Sequence, residues 1–76
     1  NLFTRVENGI MMEKVMNVIH RVLSKREYTI ICLRYGLDGK EVHTQLEVAD
    51  MLNISRSYVS RIEKKAVEKI SKELKD

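Results

Sequence analysis

Residues 44–66 read TQLEVADMLNISRSYVSRIEKKA, and the fold is decided there. Thr44 is a natural N-cap, and Glu47 three residues on completes a T-x-x-E capping box. The helix that follows places Val48, Ala49 and Leu52 on one side, with the small Ala49 suited to a close helix crossing. Asn53 falls at a turn where the backbone needs positive φ, which Asn tolerates next best after Gly. Ile54 plugs the corner and Ser55 caps a second helix. Val59 and Ile62 turn back, so that Val48, Leu52, Ile54, Val59 and Ile62 close one small core. This is either a helix-turn-helix or an ordinary αα-hairpin with a solvated outer helix, and apolar spacing alone does not separate the two.

The outer face separates them. At about 100° per residue, Val59, Ala66 and Ile70 gather near Ile62, while Ser57, Arg61 and Lys64 point the opposite way. Ser60 and Lys65 flank that outer side, and Arg56 lies in the first turn. Glu68 also falls on the outer side, but further along. A helix that reads a DNA major groove needs this set: Arg for guanine O6 and N7, hydroxyls and Lys for phosphates, and no early carboxylate facing the backbone. A helix that is merely solvated more often mixes its charges from the first turn. Double-stranded DNA is therefore the expected partner.

Working outward, the chain reads as an all-α, four-helix compact domain. Residues 1–8 show no periodicity and read as a linker or disordered tail. Asn8 and Gly9 start a helix to about Leu23, with Met11, Val15, Val18, Ile19 and Val22 at helical spacing. Ser24 and Glu27 form a second capping box, Ile30, Ile31, Leu33 and Tyr35 line the next helix, and Gly36 ends it. Residues 36–43 form a polar loop with the turn signal Asp38-Gly39. The last helix continues to about Leu74. Glu63 projects about 40° from the centre of the apolar face, so its carboxylate requires a cation, Arg26 or Arg34.

Composition sets bounds. With 76 residues the chain is one domain, too small for a large enzyme core. Net charge is only +3, but the excess sits in residues 55–76, which hold seven basic and four acidic side chains. Few phosphates can be neutralised, so the domain alone should bind DNA weakly. Cys32, the single cysteine, lies among apolar residues and reads as an inert buried thiol. An unpaired cysteine suits a cytoplasmic protein. His20 and His43 lack metal spacing, no cofactor motif is found, and no apolar run spans a membrane. No enzyme reading is supported.

The stretch TQLEVADMLNISRSYVSRIEKKAVEKI resembles the −35-reading region 4 of bacterial RNA polymerase sigma factors, and LSKREYTIICLRYGL resembles the helix before it. The run ISRSYVSRIEKKA after the loop GLDGKEVHTQ is most similar to mother-cell sporulation sigma factors of the sigma-E and sigma-K type. The resemblance covers about residues 20–74. It implies that residues 9–76 are the C-terminal domain of a longer bacterial chain that acts at the nucleoid, which suits Asn rather than Met at position 1. It also implies that Arg56, Ser57 and Arg61 read −35 bases in promoter DNA. Thr44, Ser55, Tyr58, Ser60, Lys64 and Lys65 would meet the DNA backbone. Ser57 stands where housekeeping sigma factors have an acidic residue and Arg61 where they have Gln, so a different −35 sequence is expected. The apolar side chains of the first two helices, with Met11, Met12 and Met16 as adaptable surface, read residue by residue as core; the resemblance implies instead a second partner, the flap of the polymerase β subunit, cradled by Val22, Leu23, Ile31, Leu37 and neighbours. An anti-sigma factor is a further partner left open, and the isolated domain is expected to be a monomer. Two other readings stay open: a free-standing helix-turn-helix regulator, and a protein-interaction module.

Overall fold

Each helix after the first starts at a hydroxyl side chain. The structure, a computed structural model, describes residues 9–75, with side chains described from Met12 on. The expected linker at residues 1–8 and the side chain of Met11 lie outside the described residues. Four helices follow one another: α1 (Gly9–Val22), α2 (Lys25–Tyr35), α3 (Gln45–Leu52) and α4 (Arg56–Leu74). Among the described residues there is no strand, and no helix is long and apolar enough to cross a membrane.

The boundaries have local causes. Ser24 accepts the Glu27 N–H, and the Glu27 carboxylate accepts the Ser24 N–H, so the capping box at α2 is closed in both directions. Thr44 and Glu47 do the same at α3. Gly36 ends α2 at φ 67, and the Leu37 N–H returns to the Cys32 carbonyl in a Schellman arrangement. Only Gly fits there. A Cβ at this position would lie 2.9 Å from Val42 Cγ2 and 3.2 Å from the Lys40 carbonyl oxygen. Asp38 and Gly39 both have positive φ and Lys40 N–H bonds to Leu37 O, which is the pattern of a type I′ turn. The loop then returns to α2, where His43 N–H donates to Leu33 O (2.8 Å) and Arg34 Nη1 donates to His43 O (2.7 Å). Thr44 is thereby delivered at a fixed place.

α4 packs against all three other helices. Its first half joins Ile30, Leu33, Val48, Ala49 and Val59 in one apolar cluster, with Leu52, Ile54 and Ile62 at the edge. The small core expected for the helix-turn-helix is therefore present, enlarged by two side chains of α2. Its second half places Ala66 and Ile70 against Val15, Val18 and Ile19 of α1, together with Ile31, Cys32 and Leu37. Burial pushes the Cys32 thiol up, against any thiolate chemistry.

Of the four side chains read either as core or as a docking surface, two are core. Ile31 is fully buried and Leu37 is 7% exposed, so both are core and present no groove. A small bundle has one interior, and helical periodicity cannot distinguish it from a partner-facing trough. Val22 and Leu23 stay half-buried at the rim, as do Met12 and Met16. The large apolar side chains most exposed among the described residues are instead Val42, Leu46, Met51 and Tyr58.

Two buried carboxylates tie the helices together. Lys69 Nζ donates to both oxygens of Glu27, joining α4 to the start of α2. Glu63 receives Arg34 Nε at 2.7 Å, Tyr35 Oη at 2.9 Å and Gln45 Nε2 at 3.1 Å. Of the two guanidinium groups expected as its partner, Arg34 fills the role, while Arg26 lies exposed at the start of α2. Burial alone would raise the Glu63 carboxyl, but the bonds from Arg34, Gln45 and Tyr35 outweigh it and hold it below the ordinary value. Burial and Glu63 together push the Tyr35 hydroxyl up to about 12, so it stays a donor. In Glu27, burial is outweighed by the Ser24 N–H and by Lys69, and its carboxyl is also lowered.

A lowered carboxyl contributes stability that is complete above its unfolded-state value and lost as pH falls through its folded-state value. Urea midpoints should therefore be flat near neutrality and drop below the ordinary glutamate value of 4.5. Glu63→Gln should blunt that acid drop. A variant with an unchanged acid limb would exclude Glu63 as a source of it.

Candidate nucleic-acid interface

α4 begins at Ser55, whose hydroxyl accepts the Tyr58 N–H at 3.1 Å and lies 3.3 Å from the Ser57 hydroxyl. The turn before it is set by Asn53, in the left-handed region at φ 56 and ψ 48. Its N–H bonds back to Ala49 O and Asp50 O, and Ile54 N–H bonds to Ala49 O. This second Schellman closure reverses the chain within three residues. Ala49 is 3% exposed beneath the crossing, where a larger side chain would push the helices apart.

With the crossing fixed, the faces of α4 separate. Val59, Glu63, Ala66 and Ile70 are buried. Arg56, Ser57, Tyr58, Ser60, Arg61, Lys64 and Lys65 are exposed. All of the base-reading and backbone residues expected on α4 thus share its outer surface. Among the described residues none of Arg56, Arg61, Lys64 and Lys65 forms an ion pair, whereas Lys69, further along, is engaged by Glu27. The free cations are concentrated in the first half of the helix, where they can attract an anion without first breaking a bond.

Thr44 is exposed at the start of α3. It lines a cleft of about 540 Å3 together with Arg34, Gln45, Leu46 and Arg56. Two guanidinium groups and the N-terminus of α3 therefore border the cleft, a setting that favours a phosphate. Inspection of the sequence placed Thr44 and Arg56 separately and missed that they share a cleft. It also missed Arg34 there, because its distance from Thr44 in the chain hides the return of the loop. Glu47, bound to Thr44, is held below the usual carboxylate range by the Thr44 N–H and hydroxyl. It stays charged and occupied by its own cap.

The arrangement offers hydrogen-bond donors and charge and no reactive group. Among the described residues no cluster of His, Cys, Asp or Glu could hold a metal. Its exposed cations are Arg56, Arg61, Lys64 and Lys65, with Arg34 in the cleft beside Thr44.

Comparison with known proteins agrees with this geometry. The family model described as sigma-70, region 4 matches residues 21–72, from the end of α1 through most of α4. The chain is 54% identical over 52 residues to the RNA polymerase sigma-E factor of Clostridium acetobutylicum, covering 68% of this chain and 22% of that protein. It is 48% identical over 65 residues to the RNA polymerase sigma-K factor of Bacillus subtilis, covering 86% of this chain and 22% of that protein. The RNA polymerase sigma-28 factor of Bacillus thuringiensis subsp. kurstaki is 43% identical over 65 residues, covering 86% of this chain and 27% of that protein. The chain thus spans roughly a quarter of the length of these relatives or less. No solved structure matches. A capped turn, an uncompensated basic helix face and a family match over both helices of the motif lead to one assignment: the chain belongs to the sigma-70 region 4 family.

Proposed function

We propose that this domain recognises the −35 element of promoters as the DNA-reading end of a sigma factor, and so directs transcription initiation. The observation that carries this reading is the outer face of α4, where Arg56, Arg61, Lys64 and Lys65 stand exposed, with no carboxylate partner among the described residues, beside Ser57 and Ser60. α4 enters the major groove. Arg56, Ser57 and Arg61 face base edges, and an Arg at position 61 favours guanine. Ser55, Ser60, Lys64 and Lys65 meet phosphates or sugars. Thr44 and the start of α3 hold the backbone and set the register.

The second partner is the RNA polymerase core, through the β-subunit flap, in the bacterial cytoplasm. Half-buried Val22 and Leu23 are the remaining candidates for that contact. An isolated monomer that neutralises a handful of phosphates binds at micromolar strength or weaker. Tethering to polymerase raises its effective concentration at the promoter.

Gel shifts on preferred and scrambled duplexes test this reading. Arg61→Ala should cost about 1–3 kcal/mol on the preferred sequence and relax selectivity at one base pair. Lys64→Ala should weaken binding to all sequences alike and lower the salt slope by about one. Equal losses for Arg61→Ala on both duplexes would remove Arg61 from base reading. Nanomolar, sequence-specific binding by the domain alone would point to a free-standing regulator.

A further inference from the structure

We infer that Tyr58 is a specificity-determining residue that acts through Arg61: its ring holds the guanidinium in the pose that reads a base. This deepens the function proposed above and rests on it. The Arg61 guanidinium carbon lies 6.0 Å from the centroid of the Tyr58 ring, within the range of a cation–π contact. The two residues are three apart on α4, so they are neighbours on its surface. Tyr58 is 41% exposed, one of the few large apolar groups on the outside of the domain. Its backbone is fixed independently, because its N–H is the one taken by the Ser55 cap. No carboxylate among the described residues holds Arg61, so the ring is the partner that restrains it.

The physical gain is preorganisation. An Arg side chain loses rotamer freedom when it makes a bidentate contact with a base, and that loss subtracts from affinity for the correct base. A ring under the guanidinium limits the freedom beforehand and leaves the N–H edges available, since stacking uses the face of the group. Interaction of the Tyr58 hydroxyl with phosphate is a different role, and the two separate by substitution. Stacking needs the ring and dispenses with the hydroxyl. A phosphate contact needs the hydroxyl.

The test uses the 76-residue chain at low ionic strength, with duplexes randomised over the recognised segment and sequencing of the bound pool. The readout is selectivity at the base pair that Arg61→Ala flattens. Tyr58→Ala should reduce that selectivity about two- to fivefold, Tyr58→Phe should keep it, and Tyr58→Ala should change nothing further in an Arg61→Ala background. Circular dichroism confirms helix content, which an exposed side chain should not alter. Full selectivity in Tyr58→Ala, with Arg61→Ala flattened, overturns the role of Tyr58 and leaves base reading by Arg61 standing. A uniform loss of affinity in Tyr58→Phe, with selectivity unchanged in Tyr58→Ala, assigns the residue to the backbone and also overturns it. If Arg61→Ala flattens no position, base reading by Arg61 itself fails.

Discussion

Arg34→Ala should destabilise the domain by about 3 kcal/mol, the low end of the range for breaking a buried ion pair. The low end applies because the Arg34 side chain keeps 23% of its surface in water. The loss has two parts. Glu63 keeps Tyr35 and Gln45 but loses the one guanidinium it meets among the described residues, so a nearly enclosed carboxylate loses its charge partner. His43 O loses the donor that fixes the end of the loop. A domain of this size has about 4–11 kcal/mol of total stability, so the variant should lose about a quarter to three quarters of it. Removing the carboxylate as well, in Arg34→Ala with Glu63→Leu, should recover much of the loss. Urea denaturation of the three proteins measures this. A cost below about 0.5 kcal/mol for Arg34→Ala would reduce the pair to a surface contact.

The second large effect separates interior from rim. Ile31→Ala should cost about 2–5 kcal/mol, since the side chain is fully enclosed between α1 and α4 and its removal leaves a cavity. Val22→Ala should cost clearly less, because Val22 is only half-buried. The contrast bears on polymerase docking. A charged residue at position 31 or 37 would unfold the domain and reveal nothing about a partner. Val22→Asp or Leu23→Asp should leave the fold in place and reduce −35-dependent transcription by reconstituted polymerase. Equal destabilisation of Ile31→Ala and Val22→Ala in urea would contradict the burial pattern.

Much of this architecture is legible in the chain because its punctuation is local. Ser24 with Glu27, Thr44 with Glu47, and Ser55 each define a helix start within four residues, and Gly36 and Asn53 end helices by their own backbone freedom. The exposed basic face of α4 is legible for the same reason, since it is one side of one helix. What depends on the meeting of distant segments is harder to read. Glu63 required a cation, but only packing chose Arg34 over Arg26. The Glu27–Lys69 pair spans 42 residues and escaped notice because Glu27 already had a role in its cap. Its signal was present: Lys69 projects about 20° from Ile62 on the helical wheel, too far inward for an unpaired ammonium. The apolar faces of α1 and α2 suggested a docking groove because a pattern records which side is apolar and not what covers it.

α4 has one further consequence. Its 19 residues contain neither Gly nor Pro, so it behaves as a stiff rod of about 28 Å. One end bears on α1 through Ala66 and Ile70, and the other carries Arg56. The rod has no joint at which to absorb a misalignment. A tilt of about 5° about Ile70 swings the Arg56 end by about 1.8 Å over the roughly 21 Å between them, more than half the span of a hydrogen bond. The seating of Ile70 against Val15 and Ile19 thus aims the opposite tip like the stock of a rifle. Damage at that seating would turn the exposed basic face of α4 before the α3–α4 turn itself lost its shape.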